Sequence, residues 1–423
     1  MLRVVRLVLA AVVTLCACGG LVRLYAPPGG AERQLAFIRS ALDAGAGEQA
    51  QGMFPEGYFF LHALYGIAWV DVGRHATDRA KALREARWAL SQLDGPQGTA
   101  PFSAELAPRY GVFYAGWTNW LRGGILSLQD PGARDAGEAE RFEAASRELA
   151  AAFDASQTPF LTAYPGQSWP VDSTVAITSL RLHDRLMPQR YAGTVARWLD
   201  AARARLDPAT GLLPHVTDPS TGRPLQGARA SSQSVIARFL PDVDPAFARE
   251  QYLRFRELFV ARPLGIGPAV REYPKGTDGP ADVDSGPLPL GVSLSATVVT
   301  IGAARVEGDD ALASALSSYG ELAGVPLPTW HTKRYALGLM PVGDAFLVWA
   351  RTAQPWVSPP PAAPPAVIGP LWRAPLTVLL LLVAIAPWLP RIRRRYLDAQ
   401  RGKQRGDGPG IGGVVDAVVP ERL

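Results

Sequence analysis

The sequence predicts an all-α body, an (α/α)6 toroid of about twelve helices, flanked by an N-terminal and a C-terminal membrane segment. Three observations predict it. Helical periodicity recurs in about twelve segments between residues 31 and 353. Those segments alternate between a charged-faced type and an apolar type. Apolar runs bracket them at 7–22 and 371–389.

The N-terminal run, Leu7 to Val22, stands behind Arg3 and Arg6. It is somewhat shorter than the ~20 residues that a span needs. A signal anchor, a cleaved signal peptide and a lipoprotein signal all fit, and all three export the downstream chain. Leu15-Cys16-Ala17-Cys18 resembles a bacterial lipobox with Cys18 as the acylated residue. Residues 1–25 are therefore read as a signal anchor or lipoprotein-type signal.

Within the body, the segments fall near 31–46, 57–73, 76–94, 110–128, 135–155, 172–186, 190–206, 231–240, 245–261, 287–305, 309–323 and 341–353. The odd-numbered ones are amphipathic, as in Arg79-Ala-Lys81-Ala-Leu-Arg84-Glu85, and belong at the surface. The even-numbered ones, such as Tyr58 to Val70 and Leu288 to Ala304, lack a charged face and belong inside. Gly111, Gly116, Gly123, Gly291, Gly302 and Ala303 let the inner set crowd round one axis. A solenoid of helix pairs gives a similar alternation, with less reason to bury both faces of a helix. The whole of 26–353 is read as one extracytoplasmic domain.

A Pro-rich linker, 354–370, comes next and is expected to be extended, holding the body off a bilayer. The second apolar stretch, within 371–390, runs into Arg391, Arg393, Arg394 and Arg395, a stop-transfer pattern that puts the tail 391–423 in the cytoplasm. That basic cluster inflates the formal charge of +5. No Lys/Arg run interleaved with aromatics occurs in the body, which excludes a nucleic-acid partner. Apolar residues at 48% and charged ones at 19% exclude a disordered chain and a many-span transporter. Heavy use of Ala, Arg, Gly and Pro fits a GC-rich bacterial genome.

The lead-ins to the inner segments carry the chemistry. They are Phe54-Pro55-Glu56-Gly57, Pro108-Arg109-Tyr110-Gly111, Tyr164 through Trp169-Pro170-Val171-Asp172-Ser173, Ala230 to Ser234, Asp282-Val283-Asp284-Ser285, and Met340 to Asp344. With parallel inner helices, Glu56, Asp172, Asp282, Asp284 and Asp344 surround one mouth together with Tyr110, Tyr164 and Trp169. Carboxylates gathered in a concave site push each other's pKa values apart and separate an acid from a base. Each could instead cap its helix, since acidic groups suit a helix start. Asp282 and Asp284 are two carboxylates where one cap would do, and Asp344 reads as structural.

Arg109, Trp330 and His331 complete the candidate binding set, with His331 either at the mouth or in a surface loop. His62 and His183 read as hydrogen-bonded core groups, Trp117 and Trp120 as core packing, and His215 lies in a loop or small hairpin at 207–229. No HExxH, paired-cysteine, EF-hand, GxGxxG or P-loop pattern occurs, and the two cysteines lie in the first apolar run. No metal and no cofactor are expected.

The helix alternation and Trp169-Pro170-Val171-Asp172-Ser173 resemble the six-hairpin glycosidase superfamily, where Trp-Pro-x-Asp-type motifs open an inner helix at the substrate cleft. Phe54 to Phe59 and Asp282 to Pro287 are similar to its linalool dehydratase-isomerase-like branch, whose active-site cysteines have no counterpart here. The resemblance implies carboxylate chemistry on a glycan, drawn from Asp172 with Glu56, Asp282 or Asp284. Three functions stay open: a glycoside hydrolase-like enzyme, a lyase or isomerase acting on a small alcohol, and a non-catalytic module working with envelope protein partners.

Overall fold

The computed structural model of the chain describes residues 1–77, 79–391, 393, 396, 397, 399 and 400. The expectations for Arg394, Arg395 and the tail from 401 onward lie outside them. In chain order the helices are α1 (Leu2–Tyr25), α2 (Ala31–Asp43), α3 (Ala46–Met53), α4 (Gly57–His75), α5 (Ala80–Leu93), α6 (Pro96–Thr99), α7 (Gly111–Ser127) and α8 (Ala136–Ala155). Then come α9 (Pro170–Leu186), α10 (Ala192–Arg203), α11 (Ala230–Phe239), α12 (Pro245–Phe259), α13 (Leu294–Val306), α14 (Asp310–Ala323), α15 (Pro341–Thr352) and α16 (Ala374–Ile385).

Six of these form a closed ring. Packing runs from α4 to α7, α9, α11, α13 and α15, and α15 returns to α4. The solenoid alternative is thereby set aside. Pairwise contacts are in register: Gly116 of α7 lies on Ala176 of α9, and Gly302 of α13 on Ala350 of α15. Asn119 donates to Ser179 at 2.9 Å, and Phe60 meets Phe346 at 5.4 Å. The inner helices are therefore parallel. A Cβ on Gly116 would sit 3.0 Å from the Ala176 backbone, so that glycine sets how near α7 and α9 can come.

The outer helices cover the seams. Helix α5 lies on α4 and α7, α8 on α7 and α9, α10 on α9, α12 on α11, and α14 on α13. Their apolar stripe turns inward, as Ala82, Ala86, Ala89 and Leu93 do on α5. The first outer position holds two helices where one was expected: α2 packs on α15 and α4, and α3 packs on α4. Three antiparallel ribbons precede the last three inner helices: β1 (Val216–Thr217) with β2 (Pro224–Gln226), β3 (Val260–Ala261) with β4 (Ala269–Val270), and β5 (Leu327–Pro328) with β6 (Lys333–Arg334). His62 and His183 are buried core groups, His62 bonded to the Tyr58 carbonyl at 2.8 Å.

Aromatics fill the axis. Phe60, Trp117, Phe239 and Trp349, from four different inner helices, touch ring to ring. Below them the far end is closed by residues after α15. Trp356 stacks on Trp120 at 4.3 Å, and Asp242 accepts from the backbone N–H groups of residues 356 to 358. The segment then runs along the body, where Arg249 donates to the Ala362 carbonyl, Arg256 to that of Pro365, and Trp372 stacks on Tyr319. The Pro-rich stretch lies along the body as a strap.

Two fully buried charges meet at the same end. Arg238 of α11 faces Asp71 of α4 at 3.4 Å across the ring, and Trp356 Nε1 donates to Asp71 at 2.7 Å. Burial outweighs this pairing: it pushes the Asp71 carboxyl up to about 6 and the Arg238 guanidinium down.

The terminal unit, residues 1–22 with 373 onward, is separate. Val4–Tyr25 and Ala374–Arg391, of mean hydropathy 2.3 and 1.7, are long and apolar enough to cross a membrane. Thr14 links them, donating to the Ala384 carbonyl at 3.0 Å and accepting from Trp388 at 2.8 Å. Cys16 and Cys18 are exposed and unpaired on α1.

The buried charges set two expectations for stability. Asp71→Ala strands Arg238 and is expected to cost about 3–5 kcal/mol in chemical denaturation, most of it regained in Asp71→Leu/Arg238→Met. Burial also raises Glu307 to about 7 and Asp344 to about 6. Carboxyls raised on folding add stability that is complete below their unfolded values near 4 and lost as pH rises through the folded ones. The melting temperature is therefore expected to fall between about pH 4 and pH 7, as read by calorimetry.

Candidate functional site

Because the inner helices are parallel, their six lead-ins share one end of the ring. Acidic residues there do not cap helices. The N-cap positions of α4, α7, α9, α11 and α15 are Glu56, Tyr110, Trp169, Arg229 and Met340, and none makes a side-chain cap bond. Helix α13 starts at Leu294, seven residues later than the periodicity predicts, and Ser293 caps it. Pro287 and Pro289 break the pattern, leaving Asp282 and Asp284 in an irregular loop. True acidic caps, Asp135, Asp244 and Asp309, all stand at outer-helix starts at the far end. The capping reading of the mouth carboxylates is thus removed.

Three of those carboxylates converge from alternate lead-ins of the ring. Asp172 is 5% exposed, and no described residue donates to its carboxylate. Burial first, then Asp284 and Glu56, hold its pKa well above the ordinary range. Its place in the first turn of α9 favours the charged form by about 0.3–1 kcal/mol, too little to offset full burial. Asp284 stays open to water yet has protein packed round it. That surrounding, then Asp282 and Glu56, push it up to about 6 against Arg229. Glu56 accepts a hydrogen bond from the Tyr164 hydroxyl, which ties the α4 and α9 lead-ins together. Tyr164 lies 5.9 Å from Trp169 and 5.8 Å from Phe102, so half-buried aromatic faces line one side.

Asp282 has a different task. Arg229 donates to it at 2.5 Å and Ser285 N–H at 2.9 Å; although burial opposes them, these bonds keep its carboxyl below the usual range. Arg229 also donates to Glu272 at 2.9 Å, and Ser231 reaches the same Glu272 oxygen at 2.7 Å. One guanidinium nitrogen of Arg229 and one oxygen of Glu272 remain buried without a protein partner. Nearby, His215 is buried and bonded to Ser232 at 2.6 Å; burial, then Arg229, push it down to about 4, so it is neutral. Arg229 and Glu272 were not among the sequence candidates, and His215 was placed only in the 207–229 excursion. Only Arg229, standing directly before an inner helix, carried a signal that could have found it.

The other candidates go elsewhere. Asp344 accepts from Gln34 at 2.9 Å and from Tyr335 N–H at 3.2 Å, a structural role. Tyr110 packs on Tyr114 at 5.1 Å and under the Arg109 guanidinium at 4.8 Å. Arg109 is exposed, and its N–H donates to Glu148 at 2.7 Å. Trp330 and His331 sit on the exposed tip of the β5–β6 ribbon.

No family model matches the sequence. Among solved structures, a GH76 α-mannanase from Bacteroides thetaiotaomicron is similar in fold, with a TM-score of 0.42 and 10% identity over 69% of this chain and 85% of that one.

Proposed function

We propose that the body is a carbohydrate-active enzyme of the glycoside hydrolase type, using Asp172 as general acid and Asp284 as the base that activates water. The observation that carries this reading is the Asp172 carboxylate: buried, without a donor, and beside two other carboxylates. A group so placed favours its protonated form and is suited to delivering that proton to a leaving glycosidic oxygen. Asp284, at about 6 and open to water, is ionised at neutral pH and suited to drawing a proton from an attacking water. Glu56, oriented by Tyr164, adds negative charge opposite the positive charge that develops on the sugar ring. Tyr164 and Trp169 offer faces on which a sugar ring stacks. Arg229 keeps Asp282 charged and occupied, so it does not compete for the proton.

Two measurements test the reading. Asp172→Asn is expected to lower the release of reducing sugar from envelope glycans by about 10²–10⁴-fold with the melting temperature unchanged or raised; equal release by the variant removes the proposal. In the unaltered enzyme, kcat/KM is expected to rise through about pH 6 as Asp284 ionises and to fall on the alkaline side as Asp172 loses its proton. Asp284→Asn abolishes the acid limb.

A further inference from the structure

Most of the exposed large apolar residues of the body gather at one end, while Leu253 on α12 and Val367 and Leu371 on the strap stand elsewhere. Met53, Leu264, Val283, Leu290, Trp330 and Leu339 are all exposed, with Trp330 at 94% and Leu264 at 84%. Apart from Met53, the last residue of α3, each stands on a connection leading into an inner helix, at the mouth end. Among the described residues, the connections at the far end carry no exposed large apolar side chain. Single exposed hydrophobics are ordinary, but their concentration at one rim marks an interaction surface.

Part of the rim is built by a repeated device. Pro263-Leu264-Gly265, Pro289-Leu290-Gly291 and Ala336-Leu337-Gly338 are short turns whose central leucine is held at φ 53°, 55° and 61°. Leucine is disfavoured in that left-handed region, and glycine would occupy it freely. Each turn nevertheless places a leucine there and leaves it in solvent. Strain of this kind persists where an outward-facing side chain has a use.

The chain's own ends name the occupant. Arg23 donates to the Pro326 carbonyl, Arg33 to that of Thr329 at 3.0 Å, and Lys333 to that of Gly29 at 2.9 Å. The incoming chain thus lies along the ribbon that bears Trp330. The strap leaves the body at Trp372, stacked on Tyr319 of α14, the helix just before that ribbon. Residues 26–30 alone separate α1 from α2, a reach of roughly 18 Å at full extension. The segment that joins the body to a helix long and apolar enough to cross a membrane thus runs along the rim. A tryptophan with leucines, beside the exposed Arg334, is the composition that settles at a bilayer interface.

We infer that the apolar rim of the mouth rests in the interfacial layer of a lipid bilayer, so that the carboxylate site opens onto the membrane surface. Resting on the proposed function, this makes the substrate a saccharide carried on a lipid and not a free polymer.

The test uses the full chain in liposomes, with Cys16→Ser and Cys18→Ser as background. Leu290→Cys, Leu337→Cys and Gly132→Cys are each labelled with an environment-sensitive fluorophore; position 132 has open space around it at the far end. Labels at 290 and 337 are expected to shift to the blue and to be quenched several-fold more by doxyl-lipid than the label at 132. Equal quenching at all three overturns the inference, as does shielding of 290 and 337 from both doxyl-lipid and aqueous iodide, which would mean a protein covers the rim. In the unlabelled chain, brominated lipid is expected to quench a tryptophan component that Trp330→Phe removes; an unchanged quenched fraction also overturns it. A triple change of Leu264, Leu290 and Leu337 to Ser is expected to lower turnover of lipid-borne saccharide at least tenfold while leaving free oligosaccharide unaffected. Failure of both substrates would count against the enzymatic reading and leave the fluorescence result standing.

Discussion

The whole body depends on one diametric contact, the buried Arg238 guanidinium of α11 facing the Asp71 carboxylate of α4. These helices are not neighbours in the ring; they stand on opposite sides of it. A charge in that position must be matched or the ring pays heavily, because removing one partner of a buried pair leaves the other unsolvated. Trp356 completes the arrangement by donating to Asp71 while it stacks on Trp120, so the far end is at once charged, matched and sealed. With that end closed and the axis filled by Phe60, Trp117, Phe239 and Trp349, the inner-helix lead-ins are what the opposite end presents.

The two ends divide the acidic residues between them. At the far end, carboxylates meet helix starts, arginines and backbone N–H groups, as Asp244, Asp309 and Asp242 do. At the mouth, Asp172 is buried beside the Asp284 and Glu56 carboxylates, and no described cation pairs with it. The same residue type is structural in one place and chemically poised in the other because of what surrounds it.

Much of this was legible in the sequence. Charged-faced and apolar segments alternate because outer helices meet water and inner ones meet other helices, so five of the six inner helices, α13 excepted, start within about two residues of where the pattern puts them. What periodicity could not show was α3, since Ala46–Met53 is too short to carry a pattern of its own. The late start of α13 was hidden because Pro287 to Val292 is as apolar as the helix it precedes. Within the site, Asp172 was visible through its Trp-Pro lead-in and Glu56 through its Phe-Pro one. Glu272 was not, because it becomes part of the mouth only when the 260–272 excursion folds back and Arg229 reaches it. Pairings between distant lead-ins leave no trace in local sequence.

The strap has a consequence for how the molecule is made. Asp71 is synthesised 285 positions before the tryptophan that completes its hydrogen bonding. Until the ribosome has passed residue 358, Trp120 and Asp242 lack the partners that cover them. The barrel therefore acquires its bottom last, and a nascent chain cut short at the end of α15 would be a staved cask without its head.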